Sequence, residues 1–288
     1  MTKNILITGA NGQLGSELQV LAPFYPQFLC FPTDVDTLNL CNKDDVTSFI
    51  RKNAIDYIVN CAAYTAVDKA EEDPKTCFAI NRDAVLNLAQ AAAGKAKIIH
   101  ISTDYVFDGT GGIPLKETAQ TNPQSVYGKS KWEGEQALAA NAPGSIIIRT
   151  AWLYSSFGNN FVKTMIRLGK EKESLGVVND QTGTPTYAAD LAKAIMDSIV
   201  FSEKTNKFPE GVYHYSNEGV CTWYDFCLKI HELAGITSCK VNPVSTDEYP
   251  TKAKRPMYSV LDKTKIKETF RIEIPDWEKS LEKCLRLL

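Results

Sequence analysis

The chain has 288 residues, enough to bury a full core as one large domain or one and a half. A formal net charge of −2 without a long basic run argues against nucleic acid as the main partner, and no stretch is long enough to span a bilayer. Eight cysteines without Cys-x-x-Cys or zinc-like spacing, behind an N-terminus with no leader pattern, are expected as buried free thiols in a reducing cytoplasm.

Residues 4–8 are an apolar run, predicted as a strand. Gly9-Ala10-Asn11-Gly12-Gln13-Leu14-Gly15 follows, and then a helical pattern with Glu17, Leu18, Val20 and Leu21. Strand, glycine turn and helix is the context in which backbone N–H groups at a helix start approach a phosphate. Gly9, Gly12 and Gly15 are therefore expected to bind a dinucleotide; the plainer alternative is a turn whose glycines serve packing only. A second apolar run at 28–31 leads to Asp34 and Asp36. An acid about twenty residues past the glycine turn accepts hydrogen bonds from ribose hydroxyls, and Asp34 is the nearer candidate. The alternative for either is an ordinary turn residue.

A helix at 43–52 and a strand at 56–60 lead into small residues at 61–63, where a flat cofactor can lie against backbone. Helical signals run from 74 to 93, and a fourth strand spans 97–101. Ser102 and Thr103 stand at its carboxyl end, where open parallel sheets bind ligands. After a loop at 111–123, the next helix, to about residue 141, carries Tyr127 and Lys131 four apart on one face. A phenol with its usual pKa near ~10 is a poor acid–base catalyst at neutral pH, and an ammonium beside it lowers that value. Alone this spacing recurs by chance.

A fifth strand at 145–149 leads to Trp152, and Asn159-Asn160 precede a helix ending near residue 170. A sixth strand is predicted at 175–178, a polar turn cluster at 180–186 and a helix at 188–200. Beyond these, 212–216 and 240–244 alternate like strands and 223–233 like a helix, while 249–258 is irregular. An amphipathic helix at 277–287 either packs internally or faces a second copy, so a homodimer is among the expected assemblies. This alternation predicts an α/β fold, a Rossmann-like doubly wound parallel sheet with right-handed crossovers. Residues 1–150 are expected to form the dinucleotide-binding domain, its sheet completed by later segments. Residues 151–288 are expected to form mainly a smaller, interleaved substrate lobe.

Glycine turn, ribose acid, strand-end hydroxyl and Tyr127–Lys131 together suit hydride exchange between nicotinamide and a carbonyl–alcohol pair. Tyr127 would donate the proton, Lys131 would lower its pKa and hold the nicotinamide ribose, and Thr103 or Ser102 would hydrogen-bond the same oxygen. Arg255 is a candidate for a diphosphate, against a surface arginine. Asn160 is a candidate phosphate contact or a helix cap, and Trp152 stacks on a sugar or fills core. His100, His214 and His231 lack ligand spacing, and no metal is expected.

The Thr-Gly-x-x-Gly-x-x-Gly pattern at 8–15 resembles that of the extended short-chain dehydrogenase/reductases. Within them, motifs at 60–71, 102–109, 126–131, 149–152, 158–165, 179–186 and 255–256 resemble the dTDP-4-dehydrorhamnose reductase family. That resemblance implies a reductase of a nucleotide-linked 4-keto sugar, with Thr103, Tyr127 and Lys131 as catalytic residues. It places Thr103, Asp104, Tyr127 and Trp152 at the sugar. Gly12, Gln13, Leu14, Asn39, Leu40, Ala62, Ala63, Tyr64 and Thr65 would contact the cofactor, with Tyr127 and Lys131. The sugar-nucleotide 4,6-dehydratases follow the strand-end threonine with Asp-Glu; here Thr103-Asp104 is followed by Tyr105, which disfavours elimination. A 4-epimerase is the nearer alternative. The non-catalytic regulatory subunit of methionine adenosyltransferase shares the fold, but a pure binding subunit needs no proton donor. The dTDP-4-dehydrorhamnose reductase family is commonly described as using NADPH, though members accept either. With no Lys or Arg between residues 24 and 42, NADH is expected to serve at least comparably.

Overall fold

The computed structural model describes residues 2–288. The chain opens with β1 (Lys3–Thr8), α1 (Gln13–Leu21), β2 (Phe28–Thr33), α2 (Lys43–Lys52) and β3 (Tyr57–Asn60). Short helices α3 (Val67–Ala70) and α4 (Pro74–Phe78) follow, and α4 passes through a π turn at Ala79–Asp83 into α5 (Ala84–Ala92). Next come β4 (Lys97–Thr103), α6 (Val126–Asn141) and β5 (Ile146–Thr150). The remainder comprises β6 (Leu153–Tyr154), α7 (Phe161–Glu171), β7 (Ser174–Val178), β8 (Thr182–Gly183), β9 (Thr186–Tyr187) and α8 (Ala188–Thr205). It ends with β10 (Gly211–Tyr215), β11 (Cys221–Thr222), α9 (Trp223–Leu233), β12 (Lys240–Val244), α10 (Thr264–Phe270) and α11 (Trp277–Leu285).

Six strands form one parallel sheet in the order β10-β5-β4-β3-β1-β2. Successive side chains enter opposite apolar clusters. Ile5, Ile7, Tyr57 and Val59 join residues of α1, α8 and α10, whereas Leu6 and Ile58 join residues of α2 and α5. A period of two with both faces buried is what a sheet covered on each side requires. The chain places β2 on one side of β1 and β3 on the other, so a crevice opens beyond the carboxyl ends of β1 and β3.

The sixth strand of this sheet is Gly211–Tyr215, not the run at 175–178. Ser174–Val178 instead pairs in parallel with Lys240–Val244 in a two-stranded sheet of the second lobe. Burial explains the difference: Tyr213, His214 and Tyr215 are buried in succession, as in a covered strand, while Ser174–Val178 alternates exposed and buried. The helix Thr264–Phe270, absent from the expectation, returns Ile266 and Phe270 to the main core. The last helix packs internally, burying Trp277, Leu281 and Cys284 among residues of α7 and α9. All eight cysteines are free, and contrary to the expectation of burial Cys41 is exposed, standing in the surface loop before α2. Among the described residues no helix is long and apolar enough to cross a membrane.

Candidate active site

The glycine turn is built by close approach. Gly9 has φ +65°, and a Cβ there would lie 2.7 Å from the Ala62 nitrogen; one at Gly15 would lie 2.3 Å from the Gly9 carbonyl oxygen. Only glycine fits either place. Gly12, in extended backbone, donates its N–H to the Gly9 carbonyl at 3.1 Å and precedes the first turn of α1. It lines two adjoining cavities. One, of about 430 Å³, is bounded by Asp34, Asn39, Leu40, Ala62 and Ala63; the other, of about 510 Å³, by Gln13, Leu14, Thr103, Asp104, Tyr127 and Lys131.

Asp34 anchors the rim of the smaller cavity. Its carboxylate accepts the backbone N–H groups of Asn11 at 2.9 Å and Val35 at 2.8 Å, while Asp36 is exposed and outside it. No basic side chain lines this cavity. Asn39 caps the following turn through the Cys41 N–H, and the Leu40 carbonyl accepts from Asn87. Thr65 lines the larger cavity; Tyr64 lines neither, its ring packing beside Tyr127.

Asn81, which the sequence reading missed, clamps Tyr64. Its side-chain oxygen accepts the Tyr64 N–H at 2.8 Å, and its amide donates to the Tyr64 carbonyl at 3.0 Å and to Ser130 at 3.0 Å. Ser130 in turn donates to the Tyr127 carbonyl at 2.8 Å. One amide thus ties the loop after β3 to the helix carrying Tyr127 and Lys131. The only signal in the sequence was a polar residue within an apolar helical stretch, and the π turn that aims it leaves no local trace.

Tyr127 opens α6, whose N-terminus is capped by the Ser125 hydroxyl on the Gly128 N–H. Gly128 admits the Tyr105 carbonyl, which a Cβ would meet at 2.2 Å. Burial pushes the Tyr127 phenol above its ordinary pKa, and the neighbouring Thr103 hydroxyl offsets part of that rise. Lys131 is buried and donates to the Ile101 carbonyl at 2.6 Å. Burial lowers its pKa to about 8, with the Glu135 carboxylate one turn on opposing the change. Desolvation dominates both groups in this arrangement, and the Lys131 ammonium donates to backbone.

The sugar candidates divide. Trp152, at φ +49°, lines the larger cavity and stacks on Trp223 with ring centroids 3.6 Å apart. Asn160 reaches the same cavity, but its amide caps α7 through the Lys163 N–H and donates to Gln13 and to the Ser155 carbonyl. The expected phosphate contact would have to break those bonds. Arg255 lies beside the pocket, donating to the Tyr105 hydroxyl at 3.1 Å and pairing with Asp68. Its guanidinium thus already meets a carboxylate, not a free anion site. Thr65, Tyr105, Trp152 and Trp223 border a third cavity of about 540 Å³ that continues from the catalytic one. Among the described residues there is no cluster of three His, Cys, Asp or Glu side chains suited to a metal.

A parallel sheet whose strand ends present a glycine turn, a threonine and a Tyr-x-x-x-Lys helix defines an extended short-chain dehydrogenase/reductase. The family described as RmlD substrate binding domain matches residues 2–288. A dTDP-4-dehydrorhamnose reductase of Aggregatibacter actinomycetemcomitans is 43% identical over 287 residues, covering 96% of this chain and 97% of the relative. A dTDP-4-dehydrorhamnose reductase from Clostridium acetobutylicum superposes with a TM-score of 0.93 at 45% identity, over 99% of each chain. The enzyme from Bacillus anthracis, solved in complex with NADP, gives 0.92 at 39% identity over 100% of each. This chain belongs to the dTDP-4-dehydrorhamnose reductase family.

Proposed function

We propose that this chain reduces the 4-keto group of dTDP-4-dehydro-L-rhamnose to dTDP-L-rhamnose with NADPH or NADH. The observation that carries this reading is the Thr103–Tyr127 pair at the floor of a cleft continuous with the glycine turn. A dinucleotide fits the cradle because Gly9 and Gly15 leave no room for a Cβ and Gly12 opens on both cavities. Gly12, Gln13 and Leu14 would meet its pyrophosphate, Asp34 its adenosine ribose, and Lys131 its nicotinamide ribose. When bound, the nicotinamide supplies the hydride.

Tyr127 gives its proton to the carbonyl oxygen as that oxygen gains charge. Its raised pKa keeps the phenol protonated and ready at neutral pH. Thr103 shares the same oxygen. The aromatic cavity beyond Trp152 would take the nucleotide, so the first 150 residues with their returning strand hold the cofactor and the second lobe holds the sugar nucleotide. Tyr105 argues against a dehydratase: it puts a phenol, pushed up to about 12 by burial, where the elimination would need a second carboxylic acid.

The test is NAD(P)H oxidation followed with dTDP-4-dehydro-L-rhamnose, with Tyr127→Phe as control. Wild-type turnover is expected, together with a loss of about 10²–10⁴-fold in the variant. No oxidation by the wild type would remove the substrate assignment, and full activity in Tyr127→Phe would remove the mechanism.

A further inference from the structure

The Thr103 hydroxyl has one hydrogen to give and two lone pairs to receive. It accepts the Tyr105 N–H at 3.2 Å and gives its hydrogen to Asp104 Oδ1 at 3.0 Å. With that hydrogen committed to a carboxylate, Thr103 has none left for a substrate oxygen. Asp104 is only 3% exposed and lines the catalytic cavity, and its Oδ2 makes no hydrogen bond. The groups facing it are the Tyr105 and Tyr127 phenols, from the adjoining turn and from α6, and the Ser259 hydroxyl from the C-terminal segment. Lys131 is turned to the Ile101 carbonyl instead.

We propose that Asp104 is a positioning residue that acts through Thr103, its neutral form releasing the Thr103 hydrogen to the substrate's keto oxygen and its ionised form withdrawing it. This rests on the reductase reading above. In the neutral form the carboxyl O–H donates to Thr103, whose two lone pairs are then filled by Asp104 and the Tyr105 N–H. The Thr103 hydrogen is freed for the carbonyl oxygen, and Tyr127 still provides the transferred proton. Asp104 neither loses nor gains a proton in the cycle. Burial without a cation partner favours the neutral form and raises the carboxyl pKa to about 6, Thr103 and Ser259 offsetting only part of the rise.

The experiment is the pH dependence of kcat between pH 5 and 9, at saturating cofactor and sugar nucleotide, for the wild type, Asp104→Asn and Thr103→Val. The wild type is expected to lose about tenfold per pH unit above an inflection near 6. In Asp104→Asn the amide N–H donates permanently to Thr103, and the inflection should vanish; it should vanish also from the residual rate of Thr103→Val. An inflection near pH 6 that persists in either variant overturns the proposal; the fall near pH 8 that follows Lys131 losing its proton is common to all three proteins and counts neither way. The carboxyl carbon signal of Asp104 in ¹³C-aspartate-labelled wild type, assigned by its loss in Asp104→Asn, reads the same ionisation without turnover. A midpoint near the usual carboxylate range of about 4 overturns the proposal even if the reductase assay succeeds. Absence of turnover with a midpoint near 6 would instead fault the substrate assignment.

Discussion

The Lys131 ammonium and the Ile101 carbonyl are joined by a 2.6 Å hydrogen bond in a position only 2% exposed. The bond ties α6 to β4 and holds a charged group at the wall of the catalytic cavity, largely withdrawn from bulk water. That placement serves chemistry at the expense of stability.

Lys131→Met should abolish reduction, and its stability relative to wild type should depend on pH. In the folded chain Lys131 titrates at about 8 against an ordinary 10.5. Below pH 8 the side chain is charged in both states, and the wild type carries the whole penalty of burying it. As pH climbs through 8 the folded form sheds its proton first, so the penalty fades, and above 10.5 it is gone. The advantage of Lys131→Met over wild type should therefore shrink by about 2 kcal/mol between pH 7 and pH 10, read from urea unfolding. A gap that stays constant or widens contradicts the assignment.

Cofactor preference should turn on Asp34. Its carboxylate stands at the rim of a cavity lined by no basic side chain, so a ribose 2′-phosphate meets negative charge and no cation. NADH should serve with a kcat/KM within a few-fold of NADPH, and Asp34→Ser should improve NADPH relative to NADH by at least about tenfold, a change of about 1.4 kcal/mol. Steady-state kinetics with both cofactors provide the check. A hundredfold wild-type preference for NADPH would contradict it.

The buried pair below the site should behave as a unit. Arg149 donates to Glu135 through two nitrogens, at 2.9 and 2.6 Å, its third nitrogen is unpartnered, and its guanidinium lies 5.1 Å over the Phe107 ring. Removing one partner strands a buried charge, so Glu135→Leu and Arg149→Met should each cost about 3–5 kcal/mol in chemical unfolding. The double variant should recover most of that loss. Equal, additive losses would mean that the two charges act independently. Glu135 also holds the Lys131 pKa up, so any activity left in Glu135→Leu should fade at lower alkaline pH than in the wild type.

The sequence spoke most clearly where physical signals are local. The helices at 43–52 and 223–233 and the strand at 240–244 stand where the patterns put them, because amphipathic period, caps and short alternation are read within one element. Local signals cannot tell which sheet a strand joins. Residues 175–178 and 212–216 look alike as short apolar runs, and the distinction lies in the helices that cover the second. Ile266 and Phe270 are one turn apart and too few to announce a helix. Within the candidate site the glycines, Thr103, Tyr127 and Lys131 were legible from motif and spacing. The occupation of Asn160 by Gln13 and of Arg255 by Asp68 was not, since those partners lie 147 and 187 residues away.

The π turn at Ala79–Asp83 bears on which changes of length this helix tolerates. It holds one residue more than a regular α-helix would need over the same span. Deleting that residue would restore ordinary hydrogen bonding and leave the two flanking helical segments in phase, because the π turn absorbs the extra residue within one turn. The change would fall inside the turn, where Asn81 would lose the bulged backbone position that aims it at Tyr64 and Ser130. A shortened chain of this kind would keep its core and gain a more regular helix, yet the loop after β3 would no longer be tied to the helix that carries Tyr127.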